Sequence, residues 1–254
     1  MAESLAGKTA LITGGVRRIG RATALALASE GVNVVIHIRD DTSVPEASGL
    51  LEEIRGRGVE AWTVAADLAK PQDRESLIER AGRAAGALDI LINNASVFRP
   101  DAIDNVTFDA VVAHMQVNAW APFALSREFA RQVGRGQIVN ILDTKIAGYD
   151  FAHTSYIMSK QALALLTRMT ALEFAPDITV NAVAPGLILP PPGEDEAYLD
   201  RLAATVPLRR HGGPNDVADT ILFLLKSDFI TGQIIYVDGG WHLGSPGAVA
   251  ARGS

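Results

Sequence analysis

Short apolar runs rich in valine and isoleucine alternate along the chain with longer stretches of helical period. Seven runs have strand length: 9–13 (TALIT), 33–38 (NVVIHI), 61–66 (AWTVAA), 89–93 (DILIN), 136–142 (GQIVNIL), 177–184 (DITVNAVA) and 233–238 (QIIYVD). A nearly continuous apolar run marks a strand buried on both faces, not one that shows a face to water. The stretches between them, such as 17–31 (RRIGRATALALASEG), 74–86 (RESLIERAGRAAG) and 155–175 (SYIMSKQALALLTRMTALEFA), carry helical spacing. The alternation predicts an α/β chain: a doubly wound, seven-stranded parallel sheet with right-handed crossover helices on both faces. No internal repeat interrupts it, so a single domain is predicted over 1–254. The proline-rich stretch 188–196 (ILPPPGEDE) predicts a loop over a site, within a lid region of about 186–205 that includes the helix candidate DEAYLDRLAATV. The last residues, 244–254, predict a loose tail.

Composition narrows the function classes. With 254 residues, 48% of them hydrophobic, the chain is long enough for one large core. A net charge of -6 argues against a nucleic-acid surface, which needs a concentrated positive field. There is no cysteine, so disulfides and thiolate chemistry are excluded. His37, His114, His153, His211 and His242 show no metal-ligand spacing, and no metal is expected. The first residues lack a basic segment followed by a long apolar run, and no stretch reaches membrane-spanning length; the expectation is a cytoplasmic protein without membrane or nucleic-acid partners.

The first strand runs into TGGVRRIGRA, where Gly14, Gly15 and Gly20 span a strand-to-helix turn. Glycines there let a backbone approach a phosphate, and the helix N-terminus supplies donors and positive potential. Arg17 and Arg18 stand where the helix dipole disfavours cations, a mismatch that a bound anion repairs; a dinucleotide pyrophosphate or the extra phosphate of NADP fits. Further on, Tyr156 and Lys160 share one helix face at i and i+4, which predicts an ammonium beside a phenol, lowering its pKa into a useful range.

Taken together, Thr13-Gly14 through Ile19-Gly20, Asn93 to Ala95, Tyr156 with Lys160, Pro185-Gly186 and VDGG at 237–240 resemble the short-chain dehydrogenase/reductase family over nearly the whole chain. The resemblance implies one Rossmann-like domain, usually tetrameric, that moves a hydride between a nicotinamide and a carbonyl, alcohol or imine. It implies Tyr156 as proton donor, Lys160 on the nicotinamide ribose, and Asn118 supporting the lysine through a water or, alternatively, bonding backbone. Nucleotide contacts are implied for Gly14, Arg17, Arg18, Ile19, Gly20, Asn94, Ala95, Pro185 and Gly186. Asp67, as an adenine contact or a turn cap, and Leu68 complete that set.

Thirteen residues before Tyr156, where the family carries a serine, stands Asp143. Either the site is degenerate, or Thr144 takes the serine's part, or the aspartate is the functional choice. The last option resembles the pteridine reductases, in which that position is an aspartate and a turn glycine is an arginine, here Arg18. Ser96 and Phe98 in NNASVF resemble that group's polar contact and ring-stacking aromatic. The substrate implied for Arg18, Ser96, Phe98, Asp143 and Tyr156 is a pterin or folate. A carboxyl suits such a ring because it accepts from ring N–H groups, or donates a proton if burial raises its pKa. Arg39, following the second strand, with His37 and Arg17 adding positive charge, favours NADPH, while Asp40 and Asp41 oppose a phosphate. A general ketone or aldehyde reductase and a noncatalytic NADP-binding sensor are the rival readings. Tyr149, Phe151 and Trp241 either line the pocket or fill core.

Overall fold

The computed structural model describes residues 4–191 and 193–244. Its seven strands form one parallel sheet in the order β3-β2-β1-β4-β5-β6-β7. These are β1 (Thr9–Thr13), β2 (Asn33–Ile38), β3 (Ala61–Ala65), β4 (Ile90–Asn93), β5 (Gly136–Ile141), β6 (Ile178–Pro185) and β7 (Ile234–Val237). All seven predicted runs are strands, with ends shifted by a residue or two.

Side-chain alternation explains why each run is apolar throughout. Ala10 and Ile12 of β1, Val34 and Ile36 of β2, and Ile90 and Ile92 of β4 enter one core. Leu11, Val35 and Leu91, between them, enter a second core on the opposite face. The first core is covered by α1 (Arg18–Ser29), α2 (Val44–Arg55) and α8 (Pro214–Leu225); the second by α3 (Pro71–Ala85) and α5 (Ala121–Val133), whose Phe129 is completely buried. Between these helices in sequence lie α4 (Phe108–Met115), α6 (Thr154–Glu173) and α7 (Glu196–Ala203).

Strand order reverses between β1 and β4, so the connections leave the sheet in opposite directions there and open a crevice at the carboxyl ends of the strands. α6, which carries Tyr156 and Lys160, is tied to this crevice by a buried polar chain. Asn93 donates to Asn140 Oδ1 at 2.8 Å, and Asn140 donates to Thr167 Oγ1 at 2.9 Å. Its amino end is capped from afar: the Asp101 carboxylate accepts from the Ser155 backbone N–H at 3.1 Å and from the Ser155 hydroxyl. Losing such a cap costs about 1 kcal/mol.

Leu187, Leu199 and Val206 form a small separate core in the lid region, with Tyr198, Leu202 and Trp241 packed against it. Trp241 thus packs against the lid core, whereas Tyr149 and Phe151 are exposed, at 93% and 66%. Of the predicted tail, only Gly244 falls within the described residues. No helix among the described residues is long and apolar enough to cross a membrane.

Candidate active site

The glycine turn after β1 is built by close packing. Gly14 has φ +61, in the left-handed region that favours glycine, and a Cβ on Gly20 would fall 2.6 Å from the Gly14 carbonyl oxygen. Asn94 fixes the turn from β4, donating from Nδ2 to the Thr13 and Gly14 carbonyls at 2.9 and 3.0 Å. The Thr13 hydroxyl accepts from the Asn94 and Ala95 backbone N–H groups. Arg18 opens α1 at φ +55, a conformation costing a non-glycine residue about 1 kcal/mol. Its Nη2 donates to the Pro190 carbonyl at 2.9 Å, joining the turn to the lid. Arg17 pairs with Glu46 of α2, and Ile19 packs beside the first core.

His37 corrects the reading of this region. It is 2% exposed, and burial pushes its pKa down to about 4, so the imidazole is neutral and adds no positive charge. Nε2 donates to the Ala66 carbonyl at 2.7 Å, and Nδ1 accepts from the Gly14 N–H at 3.1 Å. Protonating Nδ1 would set two donors against each other. Because the folded pKa lies below the ordinary 6.5, the unfolded chain binds the proton more readily, and the contribution of this group to stability falls as pH drops from 6.5 through 4. The expected loss is roughly 3 kcal/mol over that window. Urea unfolding of wild type and His37→Gln at about pH 7 and about pH 4.5 checks it: the wild type should lose more stability than the variant.

Beyond β2 and β3, Arg39, Asp40, Asp41, Asp67 and Lys70 line a cleft of about 300 Å³. Asp40 faces Arg39 at 2.8 Å and accepts from the Thr42 hydroxyl and backbone. These bonds hold its carboxyl below the usual range, with Thr42 and Arg39 the chief causes. Its charge is therefore offset by a neighbour. Asp67 makes the turn-capping bond, accepting from the Ala69 N–H at 3.0 Å. The Leu68 side chain is buried in the second core, while its carbonyl accepts from Arg74 at 2.8 Å.

At the end of β5, Asp143, Tyr156 and Lys160 come together. The Tyr156 hydroxyl donates to Asp143 Oδ2 at 2.8 Å, and Asp143 Oδ1 accepts from the Lys145 backbone N–H at 2.9 Å. Lys160, 2% exposed, donates from Nζ to the Ile141 carbonyl at 2.7 Å and lies 5.7 Å from the Tyr156 ring centroid. Burial lowers its pKa to about 8, partly opposed by Asp143. Burial raises the Asp143 carboxyl against the pull of the Lys145 N–H and Tyr156. The tyrosine departs from expectation: burial and the neighbouring Asp143 push its pKa well above 10, in place of the lowering by Lys160 that the helix spacing predicts. The phenol keeps its proton at neutral pH and, with Asp143, titrates as a pair.

Thr144 is the other candidate for the family serine's part. It is buried, and its hydroxyl donates to Asp238, 94 residues downstream. Asp238 also accepts from the Gly240 and His242 N–H groups, and a Cβ on Gly186 would fall 2.8 Å from the Asp238 Cα, so the Pro185-Gly186 turn lies against this acid. Burial alone would raise Asp238; the Thr144 hydroxyl and the His242 contacts outweigh it and hold the carboxyl low.

Asn118 lies in a π-helical turn (Gln116–Trp120) between α4 and α5, a feature frequent at functional sites. It bonds backbone: Oδ1 accepts from the Val97 N–H at 2.8 Å, and Nδ2 donates to the Val97 carbonyl at 2.9 Å and to Ser159 Oγ at 3.1 Å. The Ser96 hydroxyl joins the same Asn118 oxygen at 3.2 Å. Asn118 thus fixes the strand-end segment that carries Ser96 and Phe98. Phe98, 43% exposed, meets the Tyr156 ring edge-on at 4.7 Å between centroids.

A family profile described as enoyl-(acyl carrier protein) reductase matches residues 14–242, spanning the glycine turn, Asn118, Tyr156 and Lys160. The chain belongs to the short-chain dehydrogenase/reductase family. An uncharacterised oxidoreductase of Mycobacterium tuberculosis is 38% identical over 92% of this chain and 91% of its own length. The 3-oxoacyl-[acyl-carrier-protein] reductase FabG of Staphylococcus epidermidis is 32% identical over 93% and 99%. Among solved structures, FolM alternative dihydrofolate reductase 1 from Brucella canis, complexed with NADP, superposes with a TM-score of 0.87 at 33% identity, covering 96% of this chain and 97% of that one. A blue fluorescent protein from a metagenomic library, in complex with NADPH, gives a TM-score of 0.85 at 32% identity over 94% and 99%. The chain is therefore an oxidoreductase of the family, with relatives that span acyl-carrier and dihydrofolate reductases.

Proposed function

We propose that this protein is an NADPH-dependent reductase of pterin rings, converting a dihydropterin to a tetrahydropterin and extending to folates. The observation that carries this reading is the pairing of Tyr156 with a carboxylate, Asp143, while the hydroxyl next in sequence, Thr144, bonds Asp238. A carboxyl accepts from the N–H donors of an amino-pyrimidine edge, which a serine positioned for a carbonyl oxygen does less well. The likeness to a dihydrofolate reductase complexed with NADP supports the same reading.

The residues fit the cofactor. The close-packed turn at Gly14 and Gly20 and the α1 N-terminus suit a pyrophosphate, Asn94 and Ala95 stand beside it, and Pro185-Gly186 offers backbone at the carboxyl end of β6. Arg39 and Arg17 are exposed guanidinium groups suited to the ribose phosphate of NADP. Lys160, buried and near Tyr156, suits a contact with the nicotinamide ribose and electrostatic support of the phenol. Bound NADPH supplies a hydride to the ring carbon. Tyr156 holds the proton destined for the adjacent ring nitrogen, Asp143 orients that phenol and accepts from ring N–H groups, and Phe98 offers a stacking surface.

Assembly as a homotetramer is part of this proposal. It is supported by Trp120, Leu165, Met169 and Leu172, which leave 46 to 81% of their surface open near or along α5 and α6, apolar side chains that a neighbouring subunit would cover.

Purified protein mixed with NADPH and a 7,8-dihydropterin should consume the reduced nicotinamide, and NADH in its place should give a much slower rate. A simple ketone run in parallel tests the rival reading that the FabG likeness favours. Turnover of the ketone with silence toward the pterin would make the protein a carbonyl reductase; cofactor binding with no turnover of either would make it a sensor.

A further inference from the structure

Phe98 is held on two sides. Its backbone neighbour Val97 is fixed by Asn118, and its ring is stacked on the imidazole of His153, with centroids 4.3 Å apart and planes 17° from parallel. His153 is itself anchored: Nδ1 lies 2.9 Å from Asp150 Oδ2, and the Lys145 ammonium bonds the same oxygen. The other Asp150 oxygen accepts from the Ala152 N–H at 2.9 Å. Backbone bonds secure the segment as well, with Asp101 donating to the Ala152 carbonyl and Thr154 donating to the Asp101 carbonyl, at 2.9 and 3.1 Å. Asp143 in turn accepts from the Lys145 backbone N–H, and Lys145 Nζ lies 5.8 Å from the Phe98 centroid. The contacts close into a ring: Asp143, Lys145, Asp150, His153, Phe98, Tyr156 and back to Asp143.

That ring holds both the proposed proton-donating pair and Phe98, the one exposed aromatic in contact with it among the described residues, so whatever fixes Phe98 also fixes where a flat substrate lies relative to Tyr156. A partly exposed phenylalanine on a surface segment would otherwise sample several rotamers, and ordering it on binding would cost affinity. We propose that His153, held by Asp150 and Lys145, is a positioning residue: it covers one face of Phe98 so that the opposite face alone is offered to a planar heterocycle, setting affinity for flat rings without touching the proton transfer. The inference rests on the pterin reading.

The test compares wild type with His153→Ala, His153→Phe and Asp150→Asn in steady-state kinetics with NADPH and a 7,8-dihydropterin, together with NADPH titration and thermal unfolding. Wild type is measured first. Its failure to turn over the dihydropterin would overturn the parent reading and this one with it. With an active wild type, His153→Ala should raise KM for the dihydropterin about tenfold, leave kcat within about twofold and leave NADPH affinity unchanged. His153→Phe, which keeps a flat ring against Phe98, should restore most of the KM. Asp150→Asn, which weakens the anchor but keeps the stack, should fall between. An unchanged KM in His153→Ala would overturn the proposal. So would a matching loss of kcat, NADPH affinity and thermal stability in both His153 variants, because a merely structural residue would not be rescued by another aromatic in KM alone.

Discussion

Tyr156→Phe is expected to lower kcat by about a thousandfold while leaving NADPH affinity within about twofold, because general-acid catalysis contributes of that order. The substitution is unusually clean here. The ring that meets Phe98 at 4.7 Å is retained, and only the hydroxyl bonded to Asp143 disappears. Asp143 keeps the Lys145 N–H as a partner, so the local backbone is not released. Single-turnover measurements with prebound NADPH separate the chemical step from substrate binding. A variant retaining more than about a tenth of wild-type turnover would transfer the proton-donor role to Asp143, whose carboxyl burial already favours in the protonated form.

Replacing Asp143 by serine should produce the next largest change, a fall of about a hundredfold or more in dihydropterin turnover with NADPH binding preserved. The loss has two sources. An acceptor for ring N–H groups is removed, and a hydrogen bond to a charged group is worth roughly 1.5–3 kcal/mol. The partner that orients the Tyr156 phenol is also lost. A pH signature accompanies it: Asp143 is one of the causes that raise the tyrosine, so removing its charge should move the Tyr156 titration downward, toward 10, and bring the alkaline limb of the activity profile to lower pH. Serine should meanwhile improve turnover of simple ketones. Equal dihydropterin turnover in the wild type and Asp143→Ser would show that the aspartate is a drifted serine.

The sheet was legible in the sequence because strands buried on both faces must be apolar at every position, and the runs around Leu11, Val35 and Leu91 have that character. The glycine turn and the Tyr156–Lys160 pair were legible because each is a short-range arrangement, complete within one turn or one helix face. What escaped depends on contacts between distant segments. His37 sits at the end of a strand beside Arg39 and reads as a cation, yet the Ala66 carbonyl and the Gly14 N–H make it a neutral brace. The direction of the Tyr156 shift depended on burial, whereas spacing alone weighs only the neighbouring ammonium. Arg18 at φ +55 is a case where resemblance helped, since the left-handed conformation favours glycine, the residue that the resemblance implies at this turn. Lys145, Asp150 and His153 gave no signal in sequence, because what joins these three polar residues is contact with Phe98, an aromatic from the segment after β4.

The bond between Thr144 and Asp238 has a bearing on how the protein is made. The residue that fixes the neighbour of Asp143 is encoded 94 positions later, beyond β7. Asp143, Thr144, Tyr156 and Lys160 all precede the acid that Thr144 bonds, so the stretch that carries them does not supply its own anchor. A polypeptide cut short ahead of Asp238 would carry Asp143, Tyr156 and Lys160 without the acid that holds the neighbouring Thr144.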